Sequence, residues 1–231
     1  MPKKRPSKTT SVASASESVE NFLKAVYALQ ETTERVSTNA LADHLRVKAP
    51  SVTDMARRME GAGLIHYRKY HGVRLTEQGE RMALTVIRRH RLIELYLVQE
   101  LGYELHEVHA EAERLEHAVS DRFISALDRK LGTPDIDPHG DPIPSPDGYV
   151  AQPSSIPLTE LTLNREARIS RLLTSSPEML QHMVDREFRL GDMVSVVARD
   201  PFHGPLTIWL NSRQEIIGYT VAACIHVDAA G

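Results

Sequence analysis

Two histidines and two glutamates recur at helical spacing near the middle of the chain. They are His109, Glu113, Glu116 and His117, at positions i, i+4, i+7 and i+8 of the segment HAEAERLEH. Because an α-helix has about 3.6 residues per turn, this spacing predicts that the four side chains share one helical face. Imidazole nitrogens and carboxylate oxygens together can bind a divalent metal ion.

A second pair of candidate ligands precedes this segment. His90 and Glu94 are one helical turn apart in the preceding predicted helix, and they could reach the first set from an antiparallel neighbour. The alternative is that such charged residues are solvated, with Glu113 and His117 forming a simple i, i+4 pair. Because Mn²⁺ and Fe²⁺ prefer mixed carboxylate and imidazole ligands, the clustering favours a site for one of these ions.

The elements upstream of these residues predict a winged helix-turn-helix. Apolar residues at helical spacing begin at Ser18, and Ser37 or Thr38 can cap a second, short helix. Pro50 can open a third helix in its first turn, and residues 64–75 read as two short strands. Three helices followed by a β-hairpin are typical of this DNA-binding motif.

The third of these helices is expected to enter the major groove of DNA. The residues expected at base edges are Lys48, Pro50, Ser51, Thr53 and Asp54. The residues expected at phosphates are Arg57, Arg58, Arg68 and Lys69. Residues 1–75 hold 13 Lys and Arg against 7 Asp and Glu, a net charge of +6, whereas the remainder carries −9. This basic front half favours DNA over the alternative of a helical module for protein contacts.

The rest of the chain predicts helices followed by a small β domain. Thr76 can cap a long helix from Glu77 to about Leu101, and another helix is expected from Leu105 or His106 to Leu131. Residues 133–153 are rich in Pro and Asp and predict a linker, in which His139 is expected to face solvent. Strands are predicted at Asp192–Ala198, Pro205–Leu210 and Gly218–Val227, with a short helix near Pro177–Asp185.

Composition excludes several classes of protein. The single cysteine, Cys224, excludes an internal disulfide framework and a thiolate zinc cluster, and it fits a reducing cytoplasm. No apolar run approaches the length of a membrane span, and the N-terminus has no apolar signal core. The sequence therefore predicts a cytoplasmic protein that does not interact with a membrane.

The chain resembles the diphtheria-toxin-repressor family, which includes iron-dependent regulators and manganese transport regulators. The resemblance covers Ser18 to Pro144 best, and its strongest motifs are VENFLKAVYAL, PSVTDMARRMEGAGLI, RRHRLIELYL, VHAEAERLEHAVSD and DPHGDPIP. It implies a homodimeric repressor, not an enzyme, whose metal-loaded form binds palindromic DNA operators of metal-uptake genes. It also implies that the C-terminal domain is an SH3-like barrel.

The resemblance further implies two metal sites. The primary site would use Glu113, Glu116 and His117 with help from Asn21. The ancillary site would use His90, Glu94 and His109, to which Glu178 of the C-terminal domain could add a carboxylate.

The same resemblance bears on the choice of metal. Iron-sensing members carry Cys at the position of Glu113, so the carboxylate here favours Mn²⁺. Asn21 and Lys24 stand where manganese sensors have acidic residues, and Fe²⁺ therefore remains the alternative.

The resulting fold prediction is a mainly α protein with a small β domain. Its predicted parts are a disordered basic tail (1–16), a winged helix-turn-helix domain (17–75), a helical metal-binding and dimerisation domain (76–135), a Pro-rich linker (136–152) and an SH3-like β-barrel domain (153–231). Two other functions remain open at this point. One is a metal-independent winged-helix regulator that senses a small molecule, and the other is a metalloenzyme in which the His/Glu cluster activates water.

Overall fold

The structure is a computed structural model that describes residues 12–152, 154–174 and 176–229. The chain divides into two compact units, Met1–Arg88 and Arg89–Gly231. Of the predicted N-terminal tail, residues 1–11 lie outside the described residues, whereas residues 12–16 belong to the first helix.

The first unit contains the predicted three helices and hairpin. Its elements are α1 (Val12–Gln30), α2 (Thr38–His44), α3 (Ala49–Gly61), β1 (Ile65–Arg68) and β2 (Gly72–Leu75). Ser37 caps α2 by accepting a hydrogen bond from the Ala40 backbone N–H at 3.1 Å. The apolar face of each helix is buried in one core that includes Phe22, Leu23, Leu41, Val52, Ala56 and Val73. The predicted winged helix-turn-helix is therefore confirmed.

The hairpin, or wing, is joined to the loop between α1 and α2. Val36 and Val73 exchange two backbone hydrogen bonds of 2.9 and 2.8 Å. Gly72 has φ +86°, and a Cβ there would lie 2.1 Å from the Val36 carbonyl oxygen. Only glycine allows this close approach, which holds the turn end of the wing against that loop.

A long helix starts in the first unit and ends in the second. This helix, α4, spans Glu77–Leu101, as the sequence predicts. The Thr76 hydroxyl accepts from the Gly79 backbone N–H at 3.1 Å, which caps its start. Gly102, with φ +70°, follows its last residue.

The helix predicted from Leu105 or His106 to Leu131 is wrong, because two helices replace it. They are α5 (Val108–Leu115) and α6 (Asp121–Lys130), separated by a turn. The Ser120 backbone is extended, and its hydroxyl accepts from the Phe123 N–H at 3.3 Å. A serine N-cap starts a new helix, so α5 cannot continue through it.

The C-terminal part of the second unit is a six-stranded antiparallel sheet. Its strands follow the order β3-β8-β4-β5-β6-β7. The elements are β3 (Ile156–Pro157), a 3₁₀ turn (Leu158–Glu160), β4 (Glu166–Leu172), α7 (Pro177–Asp185), β5 (Met193–Arg199), β6 (Leu206–Leu210), β7 (Arg213–Ile217), α8 (Tyr219–Cys224) and β8 (Ile225–Ala229). The core between sheet and helices includes Leu158, Ile169, Met183, Phe188, Val196 and Ile208.

Two predicted strands and the short helix of this domain are confirmed as β5, β6 and α7. The strand predicted at Gly218–Val227 is wrong in its first part, because Tyr219–Cys224 is helical and the strand begins at Ile225. A short apolar run does not distinguish a buried strand from a buried helix by periodicity. Among the helices of the described part of the chain, none has the length and apolar character needed to cross a membrane.

Candidate metal centre

Two residues of α4 and one of α5 bring three ligand atoms together. The Glu94 Oε1 atom lies 2.9 Å from His90 Nε2 and 3.2 Å from His109 Nδ1. The two imidazole nitrogens are 3.0 Å apart. His90 and Glu94 are buried, whereas 58% of the His109 side chain is exposed. One cation could contact all three side chains, since their ligand atoms lie within 4.8 Å of one another.

The other ring nitrogen of His90 faces a second buried carboxylate. Glu116 is fully buried, and its Oε2 lies 2.5 Å from His90 Nδ1. Its Oε1 lies 3.2 Å from His117 Nε2. The His90 ring therefore stands between Glu94 on one side and Glu116 on the other.

The expected helical face of four ligands is wrong in its geometry. Helix α5 ends at Leu115, so Glu116 and His117 belong to the turn that follows it. His109 contacts Glu94, whereas Glu113 is exposed on α5 and belongs to neither group of three close ligand atoms found among the described residues. The structure thus brings the α4 pair together with His109, Glu116 and His117.

A further group of three ligand atoms involves the loop after α6. It contains Glu94, Asp137 and His139. Asp137 is buried, and His139 Nδ1 lies 3.8 Å from Glu94 Oε2. Glu94 therefore turns Oε1 towards His90 and His109, and Oε2 towards His139.

The expectation that His139 faces solvent is wrong. Only 13% of its side chain is exposed, and its ring hydrogen-bonds to the Leu105 backbone. Histidines that bind metals commonly use the second ring nitrogen in this way, which fixes the tautomer and the ring orientation. A sequence signal for this site does exist, because Asp137, His139 and Asp141 alternate within the segment DPHGD.

Two of the three side chains in this second group, Glu94 and His139, have shifted pKa values that suit a cation. Burial alone would raise the pKa of Glu94, but hydrogen bonds with His109 and His90 hold it well below its ordinary value. Burial lowers the pKa of His139, which favours the neutral ring that can donate a lone pair. Burial, Asp141 and Glu94 raise the pKa of Asp137 to about 7, so a proton competes with a cation for this carboxylate.

The donor chemistry of both groups fits Mn²⁺ or Fe²⁺. All the donors are imidazole nitrogens and carboxylate oxygens, and together they bury acidic groups that need a positive partner. Asn21 lies on α1 of the first unit. Glu178 lies in the first turn of α7, where it is exposed and accepts a 2.8 Å hydrogen bond from the Ser176 hydroxyl, outside both groups.

The residues predicted to contact DNA lie on α3, at its N-cap Lys48 and on the wing. Those that are exposed are Lys48, Pro50, Ser51, Asp54, Arg57, Arg58, Arg68 and Lys69. Thr53 is half-buried, and its hydroxyl donates to the Ala49 carbonyl at 3.2 Å, which reduces its capacity for base contact. Asp54 and Arg57 form an exposed ion pair at 3.8 Å.

The wing also carries an aromatic residue that sequence reasoning missed. Tyr70 is 90% exposed with φ +69°, and Lys69 Nζ lies 4.9 Å from the centre of its ring. A tyrosine in this backbone region is uncommon, and its position in the turn between two short strands was the available signal.

Models of known domain families match the chain in three consecutive segments. Residues 14–73 match the N-terminal DNA-binding domain of iron-dependent repressors. Residues 76–145 match the metal-binding and dimerisation domain of iron-dependent repressors, and residues 156–229 match the FeoA domain.

Individual proteins are similar over most of the chain. The iron-dependent repressor IdeR of Mycobacterium leprae is 34% identical over 184 residues, which cover 76% of this chain and 79% of that protein. The diphtheria toxin repressor of Corynebacterium diphtheriae is 28% identical over 222 residues, 92% of this chain and 97% of that protein.

Solved structures show a similar fold. A manganese-dependent transcriptional repressor in complex with manganese is 37% identical and superposes with a TM-score of 0.86, covering 92% of this chain and 100% of the other. The manganese regulator SloR is 32% identical with a TM-score of 0.74, covering 92% of this chain and 98% of the other.

Proposed function

The chain belongs to the iron-dependent repressor family, and from this premise we propose that it is a DNA-binding transcriptional repressor controlled by Mn²⁺ or Fe²⁺. The observation that carries the proposal is the set of imidazoles and carboxylates that converge around the buried His90 and Glu94. Such a set lies in the same chain as a winged helix-turn-helix with an exposed, basic recognition surface.

Several side chains of the second unit would hold the ion. The first group is His90, Glu94 and His109, and the second is Glu94, Asp137 and His139. Glu113, Glu116 and His117 with Asn21 remain the proposed primary ligands through the family resemblance. A bound dication would supply the positive charge that balances the buried carboxylates.

Manganese is the favoured ion and iron the alternative. The proposed ligands include the carboxylates of Glu113 and Asp137 and contain no thiolate, and hard oxygen ligands favour Mn²⁺. The relatives support either of these two ions, since IdeR is named as iron-dependent and a similar solved structure contains manganese.

We further propose that the protein binds a palindromic operator as a homodimer. A symmetric dimer would present two α3 helices to half-sites about one helical turn, ~34 Å, apart. Phe123 on α6 is 46% exposed and offers an apolar contact for the partner subunit. The proposed targets are genes of metal uptake, which a metal-loaded repressor would switch off.

Family membership does not favour the other two functions considered from the sequence. IdeR and the similar manganese-dependent protein are repressors named for the metal they depend on, rather than enzymes or metal-independent regulators. Metal can raise operator affinity only by the ratio of its affinities for the DNA-competent conformation and for the other conformation.

The proposal is tested by measuring operator binding in gel shifts at controlled metal concentrations. Mn²⁺ or Fe²⁺ should tighten binding of the wild type, and Glu94→Gln should abolish most of that gain because Glu94 serves both ligand groups. The matched control is Glu166→Gln, an exposed glutamate on β4 outside both groups, which should respond as the wild type does. Full operator affinity in a chelator, unchanged by either ion, would contradict the proposal.

A further inference from the structure

We propose that Arg171, on strand β4 of the C-terminal sheet, is a positioning residue for metal binding. It would hold the loop of residues 137–142 and thereby set the metal affinity of the group formed by Glu94, Asp137 and His139. This inference rests on the proposed metal binding by that group and adds a role for the C-terminal domain.

The first step is a charge-assisted contact between β4 and the loop. Arg171 Nε donates to Asp141 Oδ1 at 2.9 Å, and its Nη2 donates to the same oxygen. The two side chains are largely buried, with 16% and 20% of their surfaces exposed. Hydrogen bonds between an arginine fork and a carboxylate are strong and fix the geometry of both groups.

The second step connects Asp141 to the ligands. The Asp137 Oδ1 atom accepts hydrogen bonds from the backbone N–H groups of His139 at 2.8 Å and Asp141 at 2.9 Å. The Asp137 N–H donates to the Asp141 carbonyl at 2.9 Å. The loop is therefore a closed ring of hydrogen bonds, and a shift of Asp141 displaces Asp137 and His139 with it.

A second arginine holds the same loop from the side of α4. Arg91 follows His90 in the chain, and its guanidinium lies 3.6 Å from Asp137 Oδ2 and 3.5 Å from Asp141 Oδ2. Its Nη1 donates to the Pro142 carbonyl. Arg91 places the loop against the helix that carries Glu94, and Arg171 places it against the sheet.

The backbone of β4 supports the loop directly. The Leu172 N–H donates to the His139 carbonyl at 2.9 Å. Gly140 has φ +91°, and a Cβ there would lie 2.0 Å from the Ser170 carbonyl oxygen. The loop thus packs against the segment of β4 that carries Arg171. The position of this strand therefore determines where Asp137 and His139 lie.

A purely structural ion pair would behave differently from a positioning residue. Loss of a partner that orients a metal ligand typically weakens metal affinity by about 10- to 100-fold. Loss of an ion pair that only braces the sheet would lower the unfolding temperature and leave the metal affinity of the folded protein unchanged.

The test measures Mn²⁺ affinity of the full-length protein by titration calorimetry, with thermal unfolding of the metal-free protein recorded alongside. Arg171→Gln should weaken Mn²⁺ binding about 10-fold. Arg171→Lys should weaken it less, since the charge remains and the fork is lost. The matched control is Arg168→Gln on the same strand, whose side chain donates to the Gly191 carbonyl at 2.8 Å and should leave Mn²⁺ affinity unchanged.

A double-mutant cycle with His139→Ala identifies the route. His139→Ala alone should weaken Mn²⁺ binding, and adding Arg171→Gln should then reduce the affinity by a smaller factor than it does in the wild type, because one of the two positioned ligands is already gone. Fully additive losses would overturn the positioning role. If Arg171→Gln does not fold, a folded Arg171→Lys with wild-type Mn²⁺ affinity overturns it equally.

Failure of the proposed metal binding gives a different result. If the wild type does not bind Mn²⁺, or if His139→Ala binds it as the wild type does, the ligand group itself is wrong and this inference is overturned with it. If His139→Ala weakens binding and Arg171→Gln does not, only the positioning role is overturned.

Discussion

At the scale of single residues, the His90 ring is shared by two buried carboxylates. Its Nδ1 lies 2.5 Å from Glu116 and its Nε2 lies 2.9 Å from Glu94. A neutral imidazole has one N–H and can donate to only one of them. A cation bound by these residues would supply the positive charge that faces the other carboxylate.

Replacing His90 should therefore destabilise the metal-free protein. In His90→Ala, two buried carboxylates lose a hydrogen-bonding partner, and the free energy of unfolding at neutral pH should fall by about 3 kcal/mol. Urea unfolding in the presence of a chelator measures this. The control is His109→Ala, which replaces a more exposed histidine of the same group and should lower the free energy of unfolding clearly less. Equal stability of the two variants would contradict the inferred role of His90.

Asp137 makes the stability of the metal-free protein depend on pH. Its pKa is raised from 3.8 to about 7, so its ionisation destabilises the fold. The stabilising contribution of its neutral form is complete below pH 3.8 and is lost as pH rises through about 7. Asp137→Asn cannot ionise and retains the oxygen that accepts from His139 and Asp141, so it should be more stable than the wild type above neutral pH.

At pH 8, Asp137→Asn should raise the free energy of unfolding by up to about 4 kcal/mol. At pH 4 the difference from the wild type should be small. Chemical unfolding of the metal-free proteins at these two pH values measures it. The control is Asp147→Asn, which replaces an exposed aspartate that accepts a hydrogen bond from Ser145, and it should not gain stability over the wild type between pH 4 and pH 8. A difference between Asp137→Asn and wild type that does not change with pH would contradict the raised pKa.

At the scale of elements, the break between α5 and α6 brings the proposed ligand Glu116 against His90. Because α5 ends at Leu115, Glu116 lies in a turn and its carboxylate is buried against His90. The Ser120 cap starts α6 and so defines where that turn ends. Ser120→Ala should lower the free energy of unfolding by about 1 kcal/mol, measured by urea unfolding, and Ser120→Asp should restore most of it. Equal losses in both variants would show that the cap is not responsible.

The elements also show what the sequence could and could not predict. Helix α4 was predictable because its signals are local, namely the Thr76 cap, the apolar periodicity and Gly102. The β4 strand was missed because its alternation of polar and apolar residues is short: it runs from Glu166 to Ile169 and is interrupted by Ser170 and Arg171, where the register also shifts. The segment DPHGD signals a group of candidate ligands, but the position of Asp137 and His139 beside Glu94 could not be predicted from that local pattern, because it depends on contacts with residues far along the chain, such as Leu172.

At the scale of the whole molecule, the predicted order of a winged helix, a helical metal domain and an SH3-like domain is confirmed by family matches in that order. The individual metal ligands and DNA contacts remain proposals. Glu178, which the resemblance implies as a further ligand, is exposed and lies outside both groups of ligand atoms found in the described residues, and its role stays a prediction.

An exposed arginine on the wing gives a prediction about the binding of the whole protein to DNA. Arg68 is exposed on the wing and is expected to contact a phosphate. Arg68→Ala should weaken binding to operator and non-operator DNA to a similar extent and reduce the salt dependence by about one counterion. Fluorescence anisotropy over a range of salt concentrations measures this, with Arg213→Ala, a β7 arginine paired with Glu187, as the control. A loss confined to the operator would instead indicate a base contact.

The most direct test of the central claim measures Mn²⁺ affinity with and without operator DNA. If metal and DNA favour the same conformation of the dimer, each must strengthen the binding of the other by the same factor. We therefore expect operator DNA to raise the Mn²⁺ affinity of the wild type by the factor by which Mn²⁺ raises operator affinity, and Glu94→Gln to lose both effects. An Mn²⁺ affinity that is identical in the presence and absence of the operator would contradict the account.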